Sequence, residues 1–134
     1  GYTIQGDLLG TKMRRRMPDM GLLNSGYTMD LRGVHQQIQV RSWSAELRMA
    51  KSTPFLWEPH VWYRMKMRVD VNQDKAWIRG KVWRRDTQEP EEWTIIVEDQ
   101  TPIHKGSPGL YGYSPTDVYY DNIEVTKNGP MGIR

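Results

Sequence analysis

Trp77, Arg79, Lys81 and Trp83 occupy every second position of one short segment, and a period of two places successive side chains on the same face of an extended strand. Arg64, Lys66 and Arg68 do the same in the preceding segment, and Gln37, Gln39, Arg41 and Trp43 in an earlier one. An indole offers a flat apolar platform to the C–H face of a sugar ring, and Arg, Lys and Gln offer long donors to its hydroxyl rim. If these strands are neighbours, they form one surface suited to a polysaccharide or oligosaccharide. Trp77 and Trp83 would be its stacking platforms and Arg41, Arg64, Arg68 and Arg79 its donors, with Gln39 and Trp43 beside them. The basic bias favours an anionic glycan, because Arg makes charge-assisted pairs with carboxylate or sulfate. The same pattern also describes a solvated sheet face, or Trp side chains covered by a loop such as 51–59. Nucleic acid would use the same ingredients, but a formal charge of +3 is small and no nucleic-acid signature occurs.

Other chemistries find less support. With no cysteine, disulfides, thiolate nucleophiles and Cys-based zinc sites are excluded, and the compartment is left open. His35, His60 and His104 have no spacing that would set two on one face of an element. Asp70-x-Asn72-x-Asp74 opens like a calcium loop, but Lys75 stands where that loop needs Gly and Lys81 where it needs Glu, so the segment reads as a hairpin turn. Asp30, Glu46 and Glu58 are the carboxylates from which an acid/base pair would have to be drawn, and each is more simply a solvated surface group.

The elements that would position these groups are strands. From Val61 to Val71 the apolar set Val61, Tyr63, Met65, Met67, Val69 and Val71 alternates with Trp62, Arg64, Lys66, Arg68 and Asp70; Ala76, Ile78, Gly80 and Val82 continue it. Met65, Met67, Val69, Ile78 and Val82 are expected to share one core. Further strands are expected at 2–9, 27–31, 36–43, 45–50, 93–98, 109–113 and 118–125, with loops at 14–19, 51–59, 86–92 and 101–108. Short strands in this number make an all-β antiparallel sandwich. A chain of 134 residues holds one core, read as a single domain over 1–126 with a tail or linker at 127–134. No run approaches the roughly 18 apolar residues of a membrane span, and Gly1 in place of an initiator Met is what a mature or excised segment has.

The segments Trp62–Val69, Ala76–Trp83, Gly106-Ser107-Pro108-Gly109-Leu110-Tyr111-Gly112-Tyr113 and Tyr119-Tyr120-Asp121-Asn122-Ile123-Glu124-Val125 together resemble the C-terminal half of laminin-G-like and related concanavalin A-like domains. The versions they look most like are attached to bacterial extracytoplasmic proteins. The resemblance implies a jelly-roll sandwich, a secreted or periplasmic location, and the Tyr-Asp-Asn-Ile strand closing beside the N-terminal one. It also implies that Asp121, with Asp7 nearby, either holds a structural calcium or hydrogen-bonds a turn; no other cofactor is called for. Retaining glucanases of this superfamily carry Glu-x-Asp-x-x-Glu on one strand, a run missing here. The resulting expectation is a non-catalytic carbohydrate-binding, lectin-like module. Its alternatives are a protein-interaction domain docked on a larger parent protein and a glycoside-cleaving enzyme.

Overall fold

The computed structural model describes residues 1–42 and 49–130. Ten strands are present among them: β1 (Tyr2–Gly10), β2 (Asp19–Asn24), β3 (Tyr27–Arg32), β4 (Gln37–Ser42), β5 (Ala50–Pro54), β6 (Trp62–Val71), β7 (Ala76–Arg84), β8 (Ile95–Asp99), β9 (Gly109–Tyr113) and β10 (Val118–Lys127). They pair antiparallel in two sheets, β10-β1-β6-β7-β8 and β5-β4-β3-β2-β9. The described residues hold no helix long and apolar enough to cross a membrane.

The alternation read from sequence sets the core. Met65, Met67, Val69, Ile78 and Val82 are buried together, as expected, with Ile4 and Leu8 from β1. The other sheet contributes Met20, Leu22, Tyr27, Met29, Leu31, Ile38 and Val40. The sheets approach each other at Gly80, where a Cβ would lie 2.1 Å from the Met29 sulfur. Gly80→Val should therefore overpack the core and cost about 1–3 kcal/mol, read as a lower urea midpoint with an unchanged denaturant slope.

Two strands escaped the sequence pattern. In β2, the adjacent Leu22 and Leu23 blur the alternation. β5 occupies what reads as the loop 51–59, because an exposed edge strand of Ala, Lys, Ser, Thr and Pro carries no apolar period. The strand expected at 45–50 lies largely outside the described residues, as do Trp43 and Glu46. The hairpin turn after β6 is as expected: the Asn72 side-chain oxygen accepts the Asp74 and Lys75 amides, both at 2.8 Å.

β10 closes beside β1. Its register slips between Gln5 and Asp7, so that Asn122 and Ile123 face Gly6 alone, and Asn122 takes a φ of +52°, a conformation Asn tolerates in a bulge. Lys127, read from sequence as the start of the tail, is the last residue of β10 and pairs with Tyr2. Asn128 then bonds the Val69 carbonyl at 2.9 Å, and Arg68 donates to the carbonyls of Gly129 and Pro130 at 3.0 and 3.1 Å.

Candidate functional site

The topology divides the expected surface in two. Gln39 and Arg41 lie on β4, which bonds to β3 and β5 in one sheet, whereas Arg64, Arg68, Trp77, Arg79 and Trp83 lie on β6 and β7 of the other. The single surface is thereby corrected to two, on opposite outer sides of the sandwich. The physical reason is that β4 is a hairpin partner of β3, while β6 finds its neighbour in the distant β1.

On the β6–β7 side the cations are already matched. Arg64 donates to Asp7 at 3.1 Å and to Glu124 at 2.8 Å; Arg68 and Arg79 both pair with Asp70, at 2.8 and 3.4 Å. The segment between β7 and β8 returns across the sheet and brings Glu89 to Lys66 at 3.3 Å and to Lys81 at 2.9 Å. It also places the Trp93 ring 4.9 Å from the Lys81 ammonium and the Pro90 carbonyl 2.7 Å from it. Lys81 is left only 1% exposed. Partial burial works against the Glu89 carboxylate, but Lys81 and Lys66 outweigh it and hold its pKa below the ordinary range. Trp77 and Trp83 are half-buried, and the Trp77 indole N–H donates to Glu98 at 3.3 Å. Removing the acid by Glu89→Ala should cost about 2 kcal/mol, because the buried Lys81 ammonium loses its counter-charge and keeps only the Pro90 carbonyl and the Trp93 ring. Lys81→Met added to it should restore most of that loss, a cycle readable by urea unfolding.

Asp7 and Asp121 do face each other across β1 and β10. The Asp7 oxygens, however, receive Arg64, the Asn122 side-chain amide at 2.7 Å, and Arg85 at 3.7 Å, and Asp121 accepts the Asn122 amide at 2.8 Å. A cation at Asp7 would have to compete with two guanidinium groups.

The opposite outer face is built differently. Cross-strand register sets Tyr111, Gly21, Asp30, Gln39 and Ser52 in one row, with Leu23, Thr28 and Arg41 on one side of it and Tyr113, Asp19, Arg32 and Gln37 on the other. Arg41 reaches across the sheet to set its guanidinium carbon 4.7 Å from the centre of the Tyr111 ring. Gly21 has no side chain to obstruct the approach, and Asp30 and Thr28 lie buried in the row floor. Asp30 is 1% exposed. Among the described residues, neither Asp30 carboxylate oxygen nor the Thr28 hydroxyl has a hydrogen-bond partner. Burial raises the Asp30 pKa from an ordinary 3.8 to about 6, against the pull of Arg41 and Arg32 and with a push from Asp19. Partial burial, together with the Asp30 and Asp19 charges, likewise raises the Tyr111 phenol over the opposing effect of Arg41.

One end of this face opens into a cleft of about 320 Å³ whose lining includes Arg16, Asp19, Arg32, His35 and Tyr113. Within it Arg32 lies 3.6 Å from Asp19, and Asp19 also accepts the Gly33 amide at 3.0 Å. Of this set, the sequence pattern places Gln37, Gln39 and Arg41 on a ligand face, offers His35 only as a histidine without a metal-ligand spacing, and gives Asp30 as a bare carboxylate. Thr28-x-Asp30-x-Arg32 and Tyr111-x-Tyr113 carry the same period of two, a signal available in the sequence.

No protein-family model and no curated protein matches this chain. Among solved structures it is similar to the carbohydrate binding module CBM66 from Bacillus subtilis, at 12% identity over 94% of this chain and 74% of that one, with a TM-score of 0.68. The fold is a concanavalin A-like jelly roll. Chicken galectin 2 is also similar, at 14% identity over 94% of this chain and 90% of that one, with a TM-score of 0.54. Both jelly rolls match this one in its two-sheet sandwich, and neither likeness carries a residue role across.

Proposed function

We propose that this jelly roll is a non-catalytic carbohydrate-binding module of a secreted or periplasmic protein, and that it takes an oligosaccharide on the β9-β2-β3-β4-β5 face. One observation carries the reading: a buried carboxylate and a buried hydroxyl stand without hydrogen-bond partners among the described residues in the centre of that face, near a cation and an aromatic ring. Each stranded group costs about 1–3 kcal/mol, and a hydroxyl-bearing ligand would recover part of that cost. Tyr111 supplies a ring for stacking; Arg41, Gln39 and Asp30 supply donors and acceptors at its rim. Arg41 must swing off Tyr111 for a ligand hydroxyl to reach Asp30, so binding includes a side-chain rearrangement. Likeness in fold to a carbohydrate binding module and to a galectin supports the ligand class. The opposite face, with Trp77 and Trp83, is the second candidate, and its ion pairs leave fewer donors for a ligand.

A glycan array followed by calorimetric titration of the best oligosaccharide tests both faces. Arg41→Ala and Tyr111→Ala should each weaken binding about 10-fold or more, equivalent to about 1.4 kcal/mol, and Trp77→Ala should leave it unchanged. The reverse pattern would move the site to the β6–β7 side. Absence of binding to every glycan would favour a domain docked on a parent protein.

A further inference from the structure

The chain carries three consecutive arginines, Arg14, Arg15 and Arg16. They sit on a tight reverse turn closed by two backbone hydrogen bonds, Met13 N to Arg16 O at 3.1 Å and Arg16 N to Met13 O at 3.0 Å. Arg14 is held at a φ of +58°, an uncommon conformation for a residue with a side chain, which fixes the direction of the tip. All three are exposed. The cations of the β6–β7 face described above each have a carboxylate partner, but no carboxylate within ion-pair distance of these three arginines occurs among the described residues. They line a cleft of about 550 Å³ with Met13 and Pro115. Arg16 and Pro115 also line the cleft that holds Arg32, His35 and the 74% exposed Tyr113, so the arginines open onto the end of the proposed binding face.

We infer that the Arg14–Arg16 turn is an oxyanion subsite that selects acidic saccharides, taking a uronate carboxylate or a sulfate ester while the neighbouring sugar ring lies along Tyr113. This inference rests on the carbohydrate reading above. Guanidinium forks match the planar carboxylate and the sulfate oxygens in paired hydrogen bonds. A preformed turn spares the backbone part of the ordering cost of binding them. Asp19 does not cancel the charge, because Arg32 and the Gly33 amide already engage it.

The test uses four probes of equal length or charge: a neutral hexose tetrasaccharide, a uronate tetrasaccharide, a sulfated tetrasaccharide, and a single-stranded oligonucleotide. Each is titrated into the wild type and into the triple variant Arg14→Asn, Arg15→Gln, Arg16→Gln, in which Asn keeps the left-handed turn and the charge is removed. An unchanged thermal midpoint verifies that the variant folds. The wild type should prefer at least one acidic saccharide over the neutral one by about 10-fold, with an affinity that falls as salt is added. The variant should bind both at the neutral level. A variant that retains the full acidic preference overturns the subsite and leaves the carbohydrate reading standing. Failure of all three saccharides overturns both, and equal or tighter binding of the oligonucleotide at the turn overturns the choice of saccharide in favour of nucleic acid.

Discussion

Asp30→Asn should stabilise the protein at neutral pH while weakening the oligosaccharide binding proposed for its face. Asp30 is buried without a hydrogen-bond partner among the described residues and its pKa is raised from 3.8 to about 6. Below 3.8 the carboxyl is protonated in both the folded and unfolded chain and carries no penalty. As pH rises from 3.8 towards 6, the unfolded chain releases its proton and the folded chain keeps it, so stability falls. Above about 6 the penalty is complete, and at 1.36 kcal/mol per pH unit it amounts to about 3 kcal/mol. The neutral amide removes the pH-dependent part and still leaves a polar group in the floor, so the gain at pH 7 should reach at most about 3 kcal/mol and vanish near pH 4. Urea unfolding at pH 4, 5, 6 and 7 reads it directly. A difference between variant and wild type that stays constant over this range would show that Asp30 is not charged against its surroundings.

Trp57→Ala should have the opposite sign and a larger size. Trp57 is 3% exposed and packs edge-on against Tyr63, with ring centroids 6.2 Å apart. Its backbone amide donates to the Gln36 side-chain oxygen at 2.8 Å, and its indole N–H to the Arg32 carbonyl at 3.2 Å. Truncation removes a large apolar group and one buried donor together, at a cost of about 3–5 kcal/mol, a large part of the 5–15 kcal/mol typical of a domain. Because the indole anchors the end of β3 where Arg32 enters the cleft, the surviving folded fraction should also bind more weakly. Trp57→Phe keeps most of the packing and loses the donor, so it should cost about 1–2 kcal/mol. Denaturant midpoints of the two variants separate the contributions. Equal midpoints would mean that the indole N–H, not the ring, accounts for the loss.

Alternation made the core of β6 and β7 readable because burial on a sheet face follows directly from a period of two. It could not tell which outer face a polar residue reaches, since that depends on pairing between strands far apart in sequence. Gln39 and Arg41 were separated from Trp77 and Trp83 for this reason. Lys81 showed the same limit: its position on an outer face was correct, and its burial came from Glu89, Pro90 and Trp93 folding back over it. Asp30 reads as an ordinary surface acid in the sequence because its burial depends on the pairing of β3 with β2 and β4 and of β2 with the distant β9, which sets Tyr111 in its row. β5 was invisible because its hydrogen bonds to β4, not its side chains, make it a strand.

β1 lies between β6 and β10, so it waits for two strands made well after it. During synthesis it has two open edges until Val71 has emerged and one until Lys127 has. By contrast, β2 to β5 run consecutively over Asp19–Pro54 in antiparallel neighbours, and can zip from short loops as the chain appears. The β2–β5 sheet should therefore gather early, apart from β9, and the other sheet only once β10 has emerged, with folding in the slow range of about milliseconds to seconds typical of non-local β topologies. Through that interval the bare edges of β1 are the place where two nascent chains would most readily pair with each other.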